Sequence, residues 1–211
     1  NPGFINSDGA IAGLQARAMM QGEFEPLHWG RDYLTSIDSV MALPFFALFG
    51  PTPSTIIVVT LLAQVVFATL AFLIVARHVG PWTALVAVTP IVFMTLASNI
   101  YLYFDVRQWS VCLAMLGVFF INRAEASSRV WLPLGVVTMF FADFADLYTV
   151  QFLPAALLFA TLVSLGAEGW RARAKALVVT WLSAAFGYGL LLVLRQWAHV
   201  DTLRALTSFN L

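Results

Sequence analysis

The chain has 211 residues, of which 61% are hydrophobic and 10% charged, and its mean hydropathy is +0.86. A soluble domain carries about 25% charged residues, so this composition excludes an ordinary soluble globular fold and points to an integral membrane protein. Eleven basic residues balance eleven acidic ones, which leaves no excess charge for a nucleic-acid partner.

Asn1 opens the chain without an initiator methionine or a signal-type apolar run. That is expected of a fragment, or of a chain whose upstream segment has been removed. The ending at Asn210-Leu211 reads the same way. Residues 1 to about 53 are mostly not spanning, and the stretch from Asn6 to Gly22 is the only long polar region. After Asn6-Ser7-Asp8-Gly9-Ala10, the residues Ile11, Leu14 and Ala18 recur at helical spacing, with Gln15, Arg17 and Gln21 elsewhere. The pattern predicts an interfacial helix with a narrow apolar face, N-capped by Ser7 or Asp8 and stopped by Gly22. A loop dense in charge and aromatics follows, from Glu23 to Tyr33. Ser36 to Phe49 is apolar, carries Asp38 and is interrupted by Pro44. As a helix it reaches only about 21 Å, so it reads as a second interfacial or re-entrant helix ended by Gly50-Pro51.

Six spans are expected next, at about 54–76, 82–98, 109–122, 130–142, 148–166 and 176–194. Those at 109–122 and 130–142 are short. They cross hydrocarbon only if their outer ends extend through Tyr101–Gln108 and Asp143–Asp146, where carboxylates must face protein or a wet cavity. With residues 1–53 outside, the short inner loops hold Arg77, Arg123, Arg129, Arg171, Arg173 and Lys175, in keeping with the positive-inside rule. All acids except Glu125 and Glu168 then fall outside. Cys112 is the sole cysteine and is expected to be a small lipid- or helix-facing residue. Gly187-Tyr188-Gly189 offers a close helix approach, as a lone small-residue pair. No internal repeat is evident, and no pair of broken helices of the kind transporters use. The expected fold is all-α: a polytopic transmembrane helical bundle at 54–194, an extracytoplasmic loop with two interfacial helices at 1–53, and an extracytoplasmic tail at 195–211.

Three stretches carry a family resemblance. They are Ala12-Gly13-Leu14-Gln15-Ala16-Arg17-Ala18-Met19-Met20-Gln21-Gly22-Glu23, then His28-Trp29-Gly30-Arg31-Asp32-Tyr33-Leu34, then Leu43-Pro44-Phe45-Phe46-Ala47-Leu48-Phe49-Gly50-Pro51. Preceded by the acid Asp8, they resemble the first outer loop of GT-C glycosyltransferases, in particular bacterial members of the protein mannosyltransferase and aminoarabinose transferase group. The likeness is best over residues 6–60 and continues weakly to about 166, where Asp143–Asp146 and Gln151-Phe152-Leu153-Pro154-Ala155 look like an outer turn and the helix after it. The resemblance implies a bacterial inner-membrane enzyme that takes a sugar from a polyprenyl-phosphate carrier and transfers it on the extracytoplasmic face. It implies no covalently bound cofactor and does not specify the sugar, the acceptor or a divalent metal. Asp8 matches the family's acceptor-binding acid, although Gly9 stands where many relatives carry a second acid.

The residues themselves leave two readings open at each position. Asp8 is either a general base for an acceptor hydroxyl or an N-cap. His28, Arg31, Asp32 and Tyr33 form either a sugar- and phosphate-binding loop or an interfacial aromatic belt. Asp105 and Arg107 either meet a lipid phosphate or flank a helix start. Asp143 and Asp146, three apart, share one face of a helical turn, where they either serve the site or end the helix. Nothing has metal-ligand spacing. Beside the enzyme stands a non-catalytic membrane subunit that packs against partners in a larger complex.

Overall fold

Thr52-Pro53-Ser54-Thr55 shows how this sequence starts a helix. The Thr52 hydroxyl accepts the N–H of Thr55 at 3.2 Å, and Pro53 occupies the first turn, where its missing N–H costs nothing. The helix so begun ends at Gly80, whose φ of +85° suits glycine and few other residues. Gly50, at φ +82°, ends the preceding helix in the same way and donates its N–H to Phe46.

The computed structural model describes residues 7–31, 34–97, 108–123, 128–146 and 170–208. Its helices are α1 (Ser7–Met20), α2 (Ile37–Phe49), α3 (Pro53–Val79), α4 (Pro81–Ala97), α5 (Gln108–Arg123), α6 (Ser128–Ala145) and α7 (Trp170–Ser208). No strand occurs among the described residues; two isolated β-bridges join Leu27 to Thr35 and Leu34 to Asp146. The all-α expectation therefore holds for the described residues. Two helices, Pro53–Val79 and Val178–Ala198 within α7, are long and apolar enough to cross a membrane.

Helix directions follow from side-chain contacts. Cys112 donates its thiol to the Ala63 carbonyl, and Arg77 donates to the Asn122 carbonyl, so α3 and α5 run parallel. Gly117 lies against Met139 and Gly135 against Ile121, so α5 and α6 run antiparallel. Ser183 donates to the Val136 carbonyl at 2.8 Å and Gly187 lies against Phe140, so α6 and α7 are again parallel. One core lies among α3, α5, α6 and α7, built on Ile74, Val118, Ile121, Met139 and Ala184. A second, at the other end of α3 from Arg77, joins Ala16 of α1, Ala42 and Phe46 of α2, and Val59 of α3.

Several expectations change in detail. Leu14, assigned to the apolar face of the first helix, is 56% exposed, whereas Ala12, Gln15, Ala16 and Met19 are buried. Small side chains let α1 approach α2 and α3 closely, so the packed face is set by size more than by hydropathy. Pro44 does not interrupt α2: Ala42 before it and Phe46 after it are anchored in the same core, which holds the helix together across the missing hydrogen bond. The span expected at 130–142 does extend through Asp143, to Ala145. The span expected to end at 194 lies inside a helix that continues to Ser208, since no glycine or proline interrupts residues 190–208. The span expected at 148–166 lies outside the described residues.

Only 28% and 22% of the apolar windows of α3 and α7 are buried. Val65, Leu182, Phe186 and Val193 turn outward, an apolar surface that suits hydrocarbon and not water.

The α6–α7 seam gives a direct test. A methyl at Gly187 would stand 2.4 Å from the Phe140 carbonyl oxygen, while one at Gly189 meets nothing within 4 Å. Gly187→Ala is expected to destabilise by about 1–3 kcal/mol through overpacking. Gly189→Ala is expected to be neutral or to stabilise by up to about 1 kcal/mol. Thermal unfolding of both variants in the same nanodiscs checks the contrast.

Candidate functional site

The end of the molecule that carries α1 and α2 is organised by a short hairpin between them. The His28 N–H donates to Leu34 at 2.9 Å, the Arg31 N–H to His28 at 3.0 Å and the Ser36 N–H to Pro26 at 2.9 Å. This closes the chain around Gly30, whose φ is +77°. His28 is buried, and its Nδ1 donates to the Trp29 carbonyl at 3.0 Å.

Beneath the hairpin lies Gln15, fully buried in α1. Its amide nitrogen donates to the carbonyls of Leu27 at 2.7 Å and Glu25 at 3.3 Å, and its amide oxygen accepts the Ser39 hydroxyl of α2 at 3.2 Å. One side chain thus fastens α1, the hairpin and α2 together. The hairpin's second arm reaches the end of α6: the Thr35 N–H and hydroxyl both donate to the Ala145 carbonyl, at 2.8 and 3.0 Å.

That contact sets the hairpin beside two acids. Asp143 and Asp146 are both buried. The Asp146 N–H donates to Ala142 at 3.2 Å and so continues the helical turn that puts the two acids on one face. Neither carboxylate oxygen of Asp143 receives a hydrogen bond from the described residues. No third His, Cys, Asp or Glu among the described residues joins them to form a metal-ligand group.

Asp38, on the buried side of α2, reaches across to α5. Its Oδ1 accepts the Trp109 N–H at 3.3 Å, from a residue 71 positions along the chain. A carboxylate at a helix N-terminus satisfies a free N–H and interacts favourably with the helix dipole, so Asp38 anchors the first turn of α5. Between them lies a cavity of about 20 Å³ lined by Ala12, Asp38, Ala42, Thr60, Gln108 and Trp109, among others. Cys112, one turn further along α5, faces α3 through its bond to Ala63.

Of the residues expected in a site, Asp143 and Asp146 share the end of α6, where Asp146 bridges to Leu34 of the hairpin. Arg31 stands half-buried in the hairpin turn. Asp8 lies in the first turn of α1, one turn before Ala12 of the cavity wall, and its side chain is outside the described ones. Asp32, Tyr33, Asp105 and Arg107 lie outside the described residues. Sequence reasoning missed Gln15, which it placed on the polar face, and gave Asp38 no role. The signals were there: Gln15 sits among Ala12, Ala16 and Met19 at helical spacing, and Asp38 is the lone acid of an apolar helix.

Set against protein-family models, curated proteins and solved structures, the chain matches none of them.

The Gln15 junction is testable. Gln15→Leu strands the buried Leu27 carbonyl and the Ser39 hydroxyl, and is expected to destabilise by about 1–3 kcal/mol. Ser39→Ala, which leaves the carbonyl bonds intact, is expected to cost about 1 kcal/mol or less. Chemical denaturation of both variants, with hydrogen exchange at residues 25–36, reads the difference.

Proposed function

We propose that this chain belongs to a GT-C-like glycosyltransferase of the bacterial inner membrane, which transfers a sugar from a polyprenyl-phosphate-linked donor to an acceptor on the extracytoplasmic face. The direction of the helices supports a polytopic arrangement. The two parallel pairs, α3 with α5 and α6 with α7, are each separated by one chain segment, as alternating crossings require. Segregation of charge supports the orientation. Arg77 joins the Asn122 carbonyl and Arg123 stands over Phe119 at one end, while Asp38, Asp143 and Asp146 gather at the other. With the basic end cytoplasmic, the first loop is extracytoplasmic.

The observation that carries the reading is Asp143, buried without a hydrogen-bond donor among the described residues and one turn before Asp146, which bridges to Leu34 of the hairpin. A carboxylate so placed weakens packing, and such groups at membrane depth accompany substrate or proton sites. In the reaction, the acceptor oxygen attacks the anomeric carbon and Asp8 takes its proton. The bond from that carbon to the phosphate oxygen breaks, and polyprenyl phosphate leaves with the electron pair. Arg31 or Arg107 meets the phosphate, where cationic donors stabilise the developing charge. Tyr33, Asp105, Asp143 and Asp146 line the sugar or acceptor side.

A second reading, a non-catalytic membrane subunit on a transferase-like scaffold, is favoured by one observation. The cavity beside Asp38 is about 20 Å³, a volume for a water and not for a sugar ring.

Transfer of radiolabelled sugar from polyprenyl-phosphate donors, measured with the full-length protein in liposomes, separates the two. Asp8→Asn is expected to lower transfer by about 100-fold or more with unchanged expression; retained activity removes Asp8 from the site. Asp143→Asn is expected to lower transfer while raising the melting temperature, since it removes a buried charge without a donor. A fall in melting temperature with full activity assigns Asp143 to packing and supports the subunit reading.

A further inference from the structure

We propose that the cavity between α2, α3 and α5 holds one ordered water that hydrogen-bonds Gln108 Nε2 and Trp109 Nε1 and ties the start of α5 to Asp38. The inference stands apart from the proposed reaction. It begins with two donors that have no acceptor among the described residues: Gln108 Nε2 and Trp109 Nε1, both buried at the atom. Gln108 is only 6% exposed. Both residues line the same cavity, together with the Asp38 carboxylate and the buried Thr60.

An unanswered buried N–H is costly, and native structures answer it with protein or water. Volume decides what the answer is. At about 20 Å³ the cavity exceeds the ~10–15 Å³ that one water requires and is too small for an organic group. Chemistry narrows it further. A cation brings no lone pair for the two N–H groups, and an anion would oppose Asp38. Water accepts from both nitrogens through its lone pairs and donates its protons to Asp38 and the Thr60 hydroxyl.

Such a water is a structural part of the acidic end. The walls it joins come from α2, which carries Asp38, from α3 through Thr60, and from the first turn of α5. Ala12 of α1 closes one side, one turn from Asp8. The placement of α5 against α2 then rests on two links, the direct Asp38–Trp109 bond and the water beside it.

The test combines density with stability, using the chain in lipid nanodiscs. A high-resolution structure is expected to show a single water peak within hydrogen-bond distance of Gln108 Nε2 and Trp109 Nε1. Gln108→Met removes one donor at similar volume and Trp109→Phe removes the other together with part of the ring, and each is expected to lower the melting temperature by about 2–4 °C or more. In a dry cavity Gln108→Met removes an unanswered donor and raises it. An empty cavity, an acyl chain in its place, or a raised or unchanged melting temperature in either variant overturns the proposal. Where one variant fails to express, the other and the density of the unaltered chain still decide.

Discussion

The buried amide of Gln15 is the constraint on which the acidic end depends. α1 presents mostly small side chains to its neighbours, and Ala12 and Ala16 contribute little contact area of their own. A smooth face of this kind leaves a helix free to slide or rotate. Three directional bonds from one side chain remove that freedom, because they are satisfied at a single register of α1 against the hairpin and α2. The hairpin then carries the constraint on to α6 through Thr35 and Ala145. The hydrogen bonds between elements thus add a register to helices that the two apolar cores already hold together.

The seams between α5, α6 and α7 are held by other means. Gly117 and Gly135 bring the α5 and α6 backbones together, with Met139 filling the space beside them, and Gly187 does the same for α6 and α7. Close approach of backbones suits a surrounding that supplies no hydrophobic drive between helices, where dispersion contacts and interhelical hydrogen bonds hold the assembly. Bonds such as Ser183 to Val136 and Cys112 to Ala63 belong to this class.

Much of the element pattern was legible in the sequence because it rests on local chemistry. Gly22, Gly50 and Gly80 end helices where only glycine sits comfortably, and Thr52-Pro53 opens one. The outward extension of the span at 130–142 through Asp143 followed from length alone. Individual faces were harder to read. Hydropathy put Leu14 inside and Gln15 outside, and the reverse holds, since a polar group with three partners packs better than a leucine with none. Asp38 and Trp109 gained meaning only when residues 71 apart met, which no local pattern encodes. Of the expected site, the pairing of Asp143 with Asp146 was readable from their spacing, while the bridge from Asp146 to Leu34 of the hairpin is a tertiary fact.

α7 runs for 39 residues without a break, about 58 Å at 1.5 Å per residue, nearly twice the ~30 Å of hydrocarbon in a bilayer. Its Val178–Ala198 stretch is long and apolar enough to cross that layer. The rod is gripped along α6 by Gly187 and Ser183 and has no glycine or proline beyond that grip after Gly189. A tilt imposed at its Trp170 end would therefore reappear, reversed in direction, at Ser208. The two ends of α7 are mechanically joined as one stiff lever whose fulcrum is a glycine.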